Sequence, residues 1–215
     1  MASDPVNQAL EVAAAPTLSD RERTLLLHAV GHALREHLAP LRTGDKATTS
    51  HVRSTGVSEE IRTPLGSRWG AFVSIYRGDS LRGCIGQVTG HSPLQQTVTD
   101  MAIAAATRDP RFDRVAIDEL PHLSYEISVL GPRKSVPAET RARLPSTLIV
   151  GVHGLQISRR KESGLLLPQV AEKFGWTAVE FLAETAAKAG LDEDAWRDPG
   201  TEVFVFRALR FSGRS

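Results

Sequence analysis

An α+β fold, with a mostly antiparallel sheet and flanking helices, is predicted by three observations in the 215-residue sequence. Helical and strand periodicities are interspersed without the regular strand-helix alternation of a doubly wound parallel sheet. The run Gly70–Tyr76 and the run from Leu81 are separated by only a short turn, Arg77-Gly78-Asp79-Ser80, which permits antiparallel pairing and no crossover. Between them and the next strand pattern lies an alanine-rich amphipathic helix, whose small residues permit close packing on a sheet.

Taken in order, residues 1–18 read as a disordered tail and residues 19–215 as one domain. Ser19-Asp20-Arg21-Glu22 fits a capping box, and Leu26, Val30, Ala33 and Leu34 recur at helical spacing until Pro40 stops the run. Residues 41–64, rich in Thr, Ser and Gly, read as a long segment of the kind that serves as a lid or a disordered connector. Gly70–Tyr76 and Leu81–Gly86 form a hairpin. Ser92 with Pro93 and Gln95 opens a second helix, with Leu94, Val98, Met101, Ala102 and Ala105 as its apolar stripe and Pro110 as its stop. In Leu123–Leu130, Tyr125, Ile127 and Val129 alternate with Ser124, Glu126 and Ser128, predicting a strand with one buried and one polar face. Short strands follow around Ile149–Val152, Leu155–Ser158 and Leu165–Leu167. Pro168 starts a short helix, Thr177-Ala178-Val179-Glu180 caps another that ends near Gly190, and Val203–Phe206 supplies the last strand.

Composition excludes several function classes. Lysine and arginine number 26 against 25 acids, so no global charge points to nucleic acid or to a solvating tail. One cysteine makes no internal disulfide and no cysteine-rich zinc framework, which suits a reducing cytoplasm. No secretory signal and no apolar run of membrane-spanning length is present, so no membrane partner is expected. There is no GxGxxG, no phosphate-cradling glycine-lysine loop and no HExxH, and neither cofactor nor metal is expected. His28 and His32 share a helical face without a third ligand, which reads as a coincidence of the surface.

The single cysteine marks the candidate site. In Leu81-Arg82-Gly83-Cys84-Ile85-Gly86, strand alternation sends Arg82 and Cys84 to one face, with α-carbons about 6.5 to 7 Å apart. A nearby cation favours thiolate, although a cysteine in an apolar strand is more often a small core residue. Asp109-Pro110-Arg111-Phe112 ends the alanine-rich helix; Arg111 held by Asp109 could offer a fork to an anion, or the pair could be a local helix stop. Glu126 lies on a polar strand face, where it could stay wet, pair with Arg82 or act as a base. His153, between Gly151 and Gly154 in a chain reversal, is either structural or the proton partner of the thiol. The stretch 133–161 carries seven basic side chains against one acid, which would suit RNA through Arg141, Arg143, Arg159 and Arg160, but no aromatic platform accompanies it.

These segments, with Glu119-Leu120, Gly151-Val152-His153-Gly154-Leu155, Leu167-Pro168-Gln169-Val170, Trp176 and Lys188-Ala189-Gly190-Leu191, resemble the AMMECR-domain family from about residue 70 to the C-terminus. In bacteria and archaea that family is associated with a MEMO-like protein and a radical SAM protein, the AmmeMemoRadiSam system. The resemblance implies an α+β fold with a larger and a smaller lobe and a cleft between them that gathers the motif residues. Carried over, it singles out Arg82, Cys84, Asp109, Arg111, His153 and Gln169; with Glu126 from its polar strand face, the expected roles are catalytic for Cys84, Arg82 and His153 and substrate-binding for Asp109, Arg111, Glu126 and Gln169. The expected function is that of a cytoplasmic, cysteine-dependent enzyme or enzyme component acting on a small anionic or polar substrate with MEMO-like and radical SAM partners. The alternative is a non-catalytic adaptor whose cleft takes a peptide or nucleic acid, with RNA binding ranked last. The chain has no iron–sulfur cysteine triad, so it would not be the radical enzyme itself.

Overall fold

The computed structural model describes residues 12–39 and 64–214. Most of the predicted tail and of the polar segment 41–64 lies outside these residues. Of the rest of the tail, Val12 and Leu18 are buried. The chain divides into two compact units, residues 17–129 with 210–215, and residues 1–16 with 130–209.

In the first unit, helix α1 (Asp20–Leu38) starts as predicted: the Ser19 hydroxyl accepts the Glu22 N–H at 3.3 Å, and the Glu22 carboxylate accepts the Ser19 N–H at 2.7 Å. Leu26, Val30, Ala33 and Leu34 form its buried stripe. Strands β1 (Trp69–Arg77) and β2 (Ser80–Thr89) make the hairpin, and β3 (Leu123–Leu130) pairs antiparallel with the other side of β1, so among the described residues β2 has β1 as its single strand neighbour. Helix α2 (Leu94–Thr107) packs on β1, β2 and α1. Its start differs from expectation. Pro93 is the N-cap with no side-chain bond, and Ser92 instead lends its carbonyl to the Thr97 hydroxyl at 3.3 Å, because the proline already pre-sets the extended entry.

Pleating divides the sheet's residues between two faces. Ala71, Val73, Ile75, Tyr125, Ile127 and Val129 are buried on one face, and each Val- or Ile-sized side chain contributes about 1.5–3 kcal/mol there. Gly83 lies under α2 on this face, where a Cβ would stand 2.2 Å from the Ala105 carbonyl oxygen. The other face carries Phe72, Ser74, Tyr76, Cys84, Glu126 and Ser128. Between Ile75 and Tyr76 the register slips by one: Tyr76 pairs with Leu81 and Ile75 with Gly83, so Arg82 has no opposite residue. This is a β-bulge, a device that re-aims side chains.

In the second unit, β5 (His153–Arg159) pairs antiparallel with β6 (Glu162–Leu166) on one side and with β7 (Glu202–Gly213) on the other; the two-residue β4 (Lys134–Ser135) joins β7. Short α3 (Leu144–Thr147), α4 (Pro168–Phe174) and α5 (Ala178–Lys188) supply the helices, with Thr177 and Glu180 closing the predicted capping box. Leu155, Ile157, Val203, Val205, Phe181 and Trp196 centre the core. One predicted strand is corrected. Ile149–Val152 is a turn, in which the His153 N–H reaches the Ile149 carbonyl at 3.0 Å and Gly151 takes φ +82°, a left-handed conformation that ends an extended run.

The structure thus has the α+β class and antiparallel pairing the sequence predicts. Among the described residues no helix is long and apolar enough to cross a membrane.

Candidate functional site

Cys84 sits in the middle of β2 on the sheet face away from α2, half-buried. Its opposite residue on β1 is Ser74, and the Ser74 hydroxyl donates to Sγ at 3.2 Å. Ser74 in turn stands opposite Glu126 on β3. A carboxylate, a hydroxyl and a thiol therefore form one row across three strands. Such a row is rigid because the sheet ladder, and no loop, sets its spacing. Tyr76, the next residue of β1 on this face, holds its hydroxyl proton above the usual range, first through burial and then through the nearby Glu126 and Cys84, against a hydrogen bond from Ser74 and the charge of Arg210. Arg210 reaches the Glu126 carboxylate at 3.7 Å.

The motif after α2 holds the backbone of Cys84. Its N–H donates to Asp109 Oδ2 at 2.8 Å, and its carbonyl accepts from Arg111 Nη2 at 3.4 Å. Asp109, 4 % exposed, also accepts from the Arg111 N–H at 3.1 Å, Nε at 2.9 Å and Nη2 at 2.7 Å. These bonds, led by the Arg111 side chain and opposed by burial, hold the Asp109 carboxyl down to about 2. Arg111 is held protonated chiefly by Asp109, with a further contribution from Cys84. Its guanidinium is more than half exposed, lies 5.3 Å over the Phe112 ring, and leaves Nη1 without a hydrogen bond among the described residues.

Arg82 lies elsewhere than strand alternation alone predicts. Its Nε and Nη2 grip Glu119 at 3.0 and 2.9 Å, and Nη1 and Nη2 donate to the carbonyls of Asp113 and Arg114 at 2.5 and 3.1 Å. The bulge turns it from the thiol toward the segment that follows α2. Glu119 is accordingly held below the usual carboxylate range, first by Arg82. This arrangement makes Arg82 a positioning residue for the 113–119 segment. Arg82→Ala should lower stability by about 2 kcal/mol in urea denaturation, since it takes two of its N–H donors from a mostly buried carboxylate, which keeps the Ala116 N–H, and leaves two carbonyls without their donor. Intact-protein mass spectrometry should show Cys84 alkylated at a nearly unchanged rate.

His153 and Gln169 belong to the second unit and are not part of the Cys84 row. His153 Nδ1 accepts the Ile149 N–H at 3.1 Å, and burial, then Arg207, lowers its proton affinity. Gln169 lies half-buried in the first turn of α4. Two of the four arginines proposed for RNA are engaged within the unit: Arg141 is buried on the Val136 and Asp198 carbonyls, and Arg159 is paired with the Asp198 carboxylate at 2.7 Å. Among the described residues no group of three or more His, Cys, Asp or Glu could hold a metal ion. His32 faces Glu36 at 3.4 Å.

Three site residues escaped sequence reasoning. Ser74 and Tyr76 lie in a run that reads as apolar, and Glu119 carries no motif of its own beyond its place in the family pattern. The signal for Ser74 was the hairpin register, but the bulge displaces it by one.

A family model described as AMMECR1 matches residues 33–211. A protein of Methanothermobacter thermautotrophicus is 40% identical over 197 residues, covering 92% of this chain and 96% of that protein. One of Thermococcus kodakarensis is 41% identical over 179 residues, covering 80% and 87%. Among solved structures, the crystal structure of an uncharacterised protein from Pyrococcus horikoshii aligns with a TM-score of 0.73 at 36% identity, covering 87% of this chain and 89% of that one.

Proposed function

The chain belongs to the AMMECR1 family, and from that premise we propose that it is a cysteine-dependent enzyme or enzyme component acting in the cytoplasm on a small polar or anionic molecule. The observation that carries this reading is the Glu126–Ser74–Cys84 row, with the Cys84 backbone held on both sides by Asp109 and Arg111. Cys84 is the nucleophile. The Ser74 hydroxyl orients Sγ and stabilises negative charge on it by donating to it. The exposed Nη1 of Arg111 supplies a donor for an anionic group of the substrate, and Tyr76 stays protonated beside the row as a second donor. The family resemblance supports MEMO-like and radical SAM proteins as the partners in this work, the arrangement named the AmmeMemoRadiSam system.

Alkylation of the folded protein by iodoacetamide across pH tests the reading, because the chain has one cysteine. The expected result is modification of the native protein with an apparent pKa below about 8.5, and a several-fold slower reaction in Ser74→Ala. Protection until the protein unfolds would overturn it. A second reading, the adaptor, is favoured by a specific feature of the second unit. Ile149, Val152, Phe174 and Val179 are exposed, and Phe174 stacks on Trp176 at 4.9 Å. Binding of a MEMO-like protein that is unchanged in Cys84→Ser and lost in Phe174→Ser would favour it over the enzyme.

A further inference from the structure

Among the described residues the second unit contains three buried donors that no acceptor meets, His153 Nε2, Arg207 Nε and Trp196 Nε1, and the first two belong to residues that face each other across paired strands. His153 opens β5 and stands opposite Arg207 of β7, a placement that brings Cβ atoms within about 4.5–5.5 Å. His153 is 3 % exposed. Because its Nδ1 accepts the Ile149 N–H, the ring proton resides on Nε2, and the depressed proton affinity keeps the ring neutral, so Nε2–H is a donor. Neither His153 Nε2 nor Arg207 Nε has a hydrogen-bond partner among the described residues, and both atoms are buried. Arg207 likewise has no ion-pair partner among them.

The setting adds to the argument. Leu155 opposite Val205 and Ile157 opposite Val203 continue the same face into the core, so the two donors stand at the end of an apolar wall where hydrogen bonds to charge are strengthened. Buried polar groups in native proteins are nearly always paired. Two N–H donors on residues that pair across the strands, one of them on a permanent cation, match the oxygen atoms of an oxyanion. An anion would meet both donors and the positive charge that one of them carries, where a bridging water would meet the donors alone.

We propose that His153 Nε2–H and Arg207 Nε–H bind one oxyanion, the carboxylate or phosphate group of a small molecule. The backbone N–H of Ile149 holds the imidazole in the donating tautomer, and the turn at Gly151 places that N–H beside the ring. This proposal uses none of the residues of the Cys84 row, and neither proposal stands or falls with the other.

The test is an NMR titration of the full-length, nitrogen-15-labelled protein, following the His153 Nε2–H resonance on addition of sodium acetate or sodium phosphate at constant pH and ionic strength. A saturable shift is expected. Arg207→Gln should weaken it by about ten- to hundredfold, the usual loss for a hydrogen bond to a charged partner. Arg143→Gln, on the exposed surface, should leave it unchanged. Saturation by acetate identifies a carboxylate ligand and by phosphate a phosphoryl ligand, and both support the site. No saturable shift with either anion, or equal responses in wild type and Arg207→Gln, overturns it. Should Arg207→Gln fail to fold, the wild-type titration still decides, since a water-filled site would not saturate with anion. Repeating it in Cys84→Ser keeps the two proposals distinguishable: a shift that persists there stands whatever becomes of the thiol.

Discussion

Gly83→Ala should destabilise the protein by at least about 3 kcal/mol, seen as a lower urea midpoint with an unchanged slope. The new Cβ would stand 2.2 Å from the Ala105 oxygen and 3.0 Å from its carbonyl carbon. Both are backbone atoms of α2, so no side-chain rotation relieves the clash. Either α2 lifts from the sheet or β2 bends. Both responses open the layer in which Val98, Ala102, Ala105, Val73 and Ile75 are buried. Gly200→Ala is the matched control. There the nearest atom to the new Cβ is Asp198 Oδ1 at 3.5 Å, and the change should stay within about 0.5 kcal/mol. Gly83 also adjoins Cys84, so the substitution should speed alkylation at high pH by loosening the strand while erasing its dependence on Ser74.

Asp109→Ala should lower stability by about 2–3 kcal/mol. One nearly inaccessible carboxylate accepts the Cys84 N–H and three N–H groups of Arg111, and its removal leaves the strand amide without a partner. Arg111 is exposed enough to turn to water, which keeps the loss below that of a fully buried pair. Protonation should mimic the substitution. The folded-state value of about 2 lies below the ordinary 3.8, so the contribution is present in full above 3.8 and is lost as pH falls through about 2. Over nearly two pH units that amounts to about 2 kcal/mol at most. Acid titration of stability in wild type and in Asp109→Asn checks the sign: the wild-type curve should fall more steeply below 3.8. Parallel curves would show that Asp109 ionises as an ordinary surface acid.

Local signals carried much of the fold into the sequence. Both capping boxes, at Ser19 and Thr177, are present with their reciprocal bonds, because capping depends on residues three apart and on nothing distant. Alternation in Leu123–Leu130 located the polar face with Glu126, and the Asp109–Arg111 pair was legible because its partners are two residues apart. What involves pairing at long range was not legible. Counting out from a tight turn between Arg77 and Ser80 would set Cys84 opposite Val73, on the face that α2 covers, whereas the bulge at Arg82 moves it opposite Ser74. That single extra residue separates a core cysteine from one on the polar face, and it has no composition cue. The grip of Arg82 on Glu119 follows from the same bulge. The His153–Arg207 pair joins residues far apart in sequence through the β5–β7 register, which no periodicity reveals.

The bonds from Asp109 and Arg111 to the backbone of Cys84 have a consequence for how molecules of this protein meet one another. Among the described residues β2 is the outermost strand of its sheet, and an outermost strand presents unpaired amides and carbonyls to which another chain can add. At Cys84 both groups already have partners, supplied by side chains that imitate a neighbouring strand for one residue. The pair that immobilises the thiol thereby also guards the rim of the sheet against self-association, so loss of Asp109 exposes the protein to aggregation as well as to unfolding.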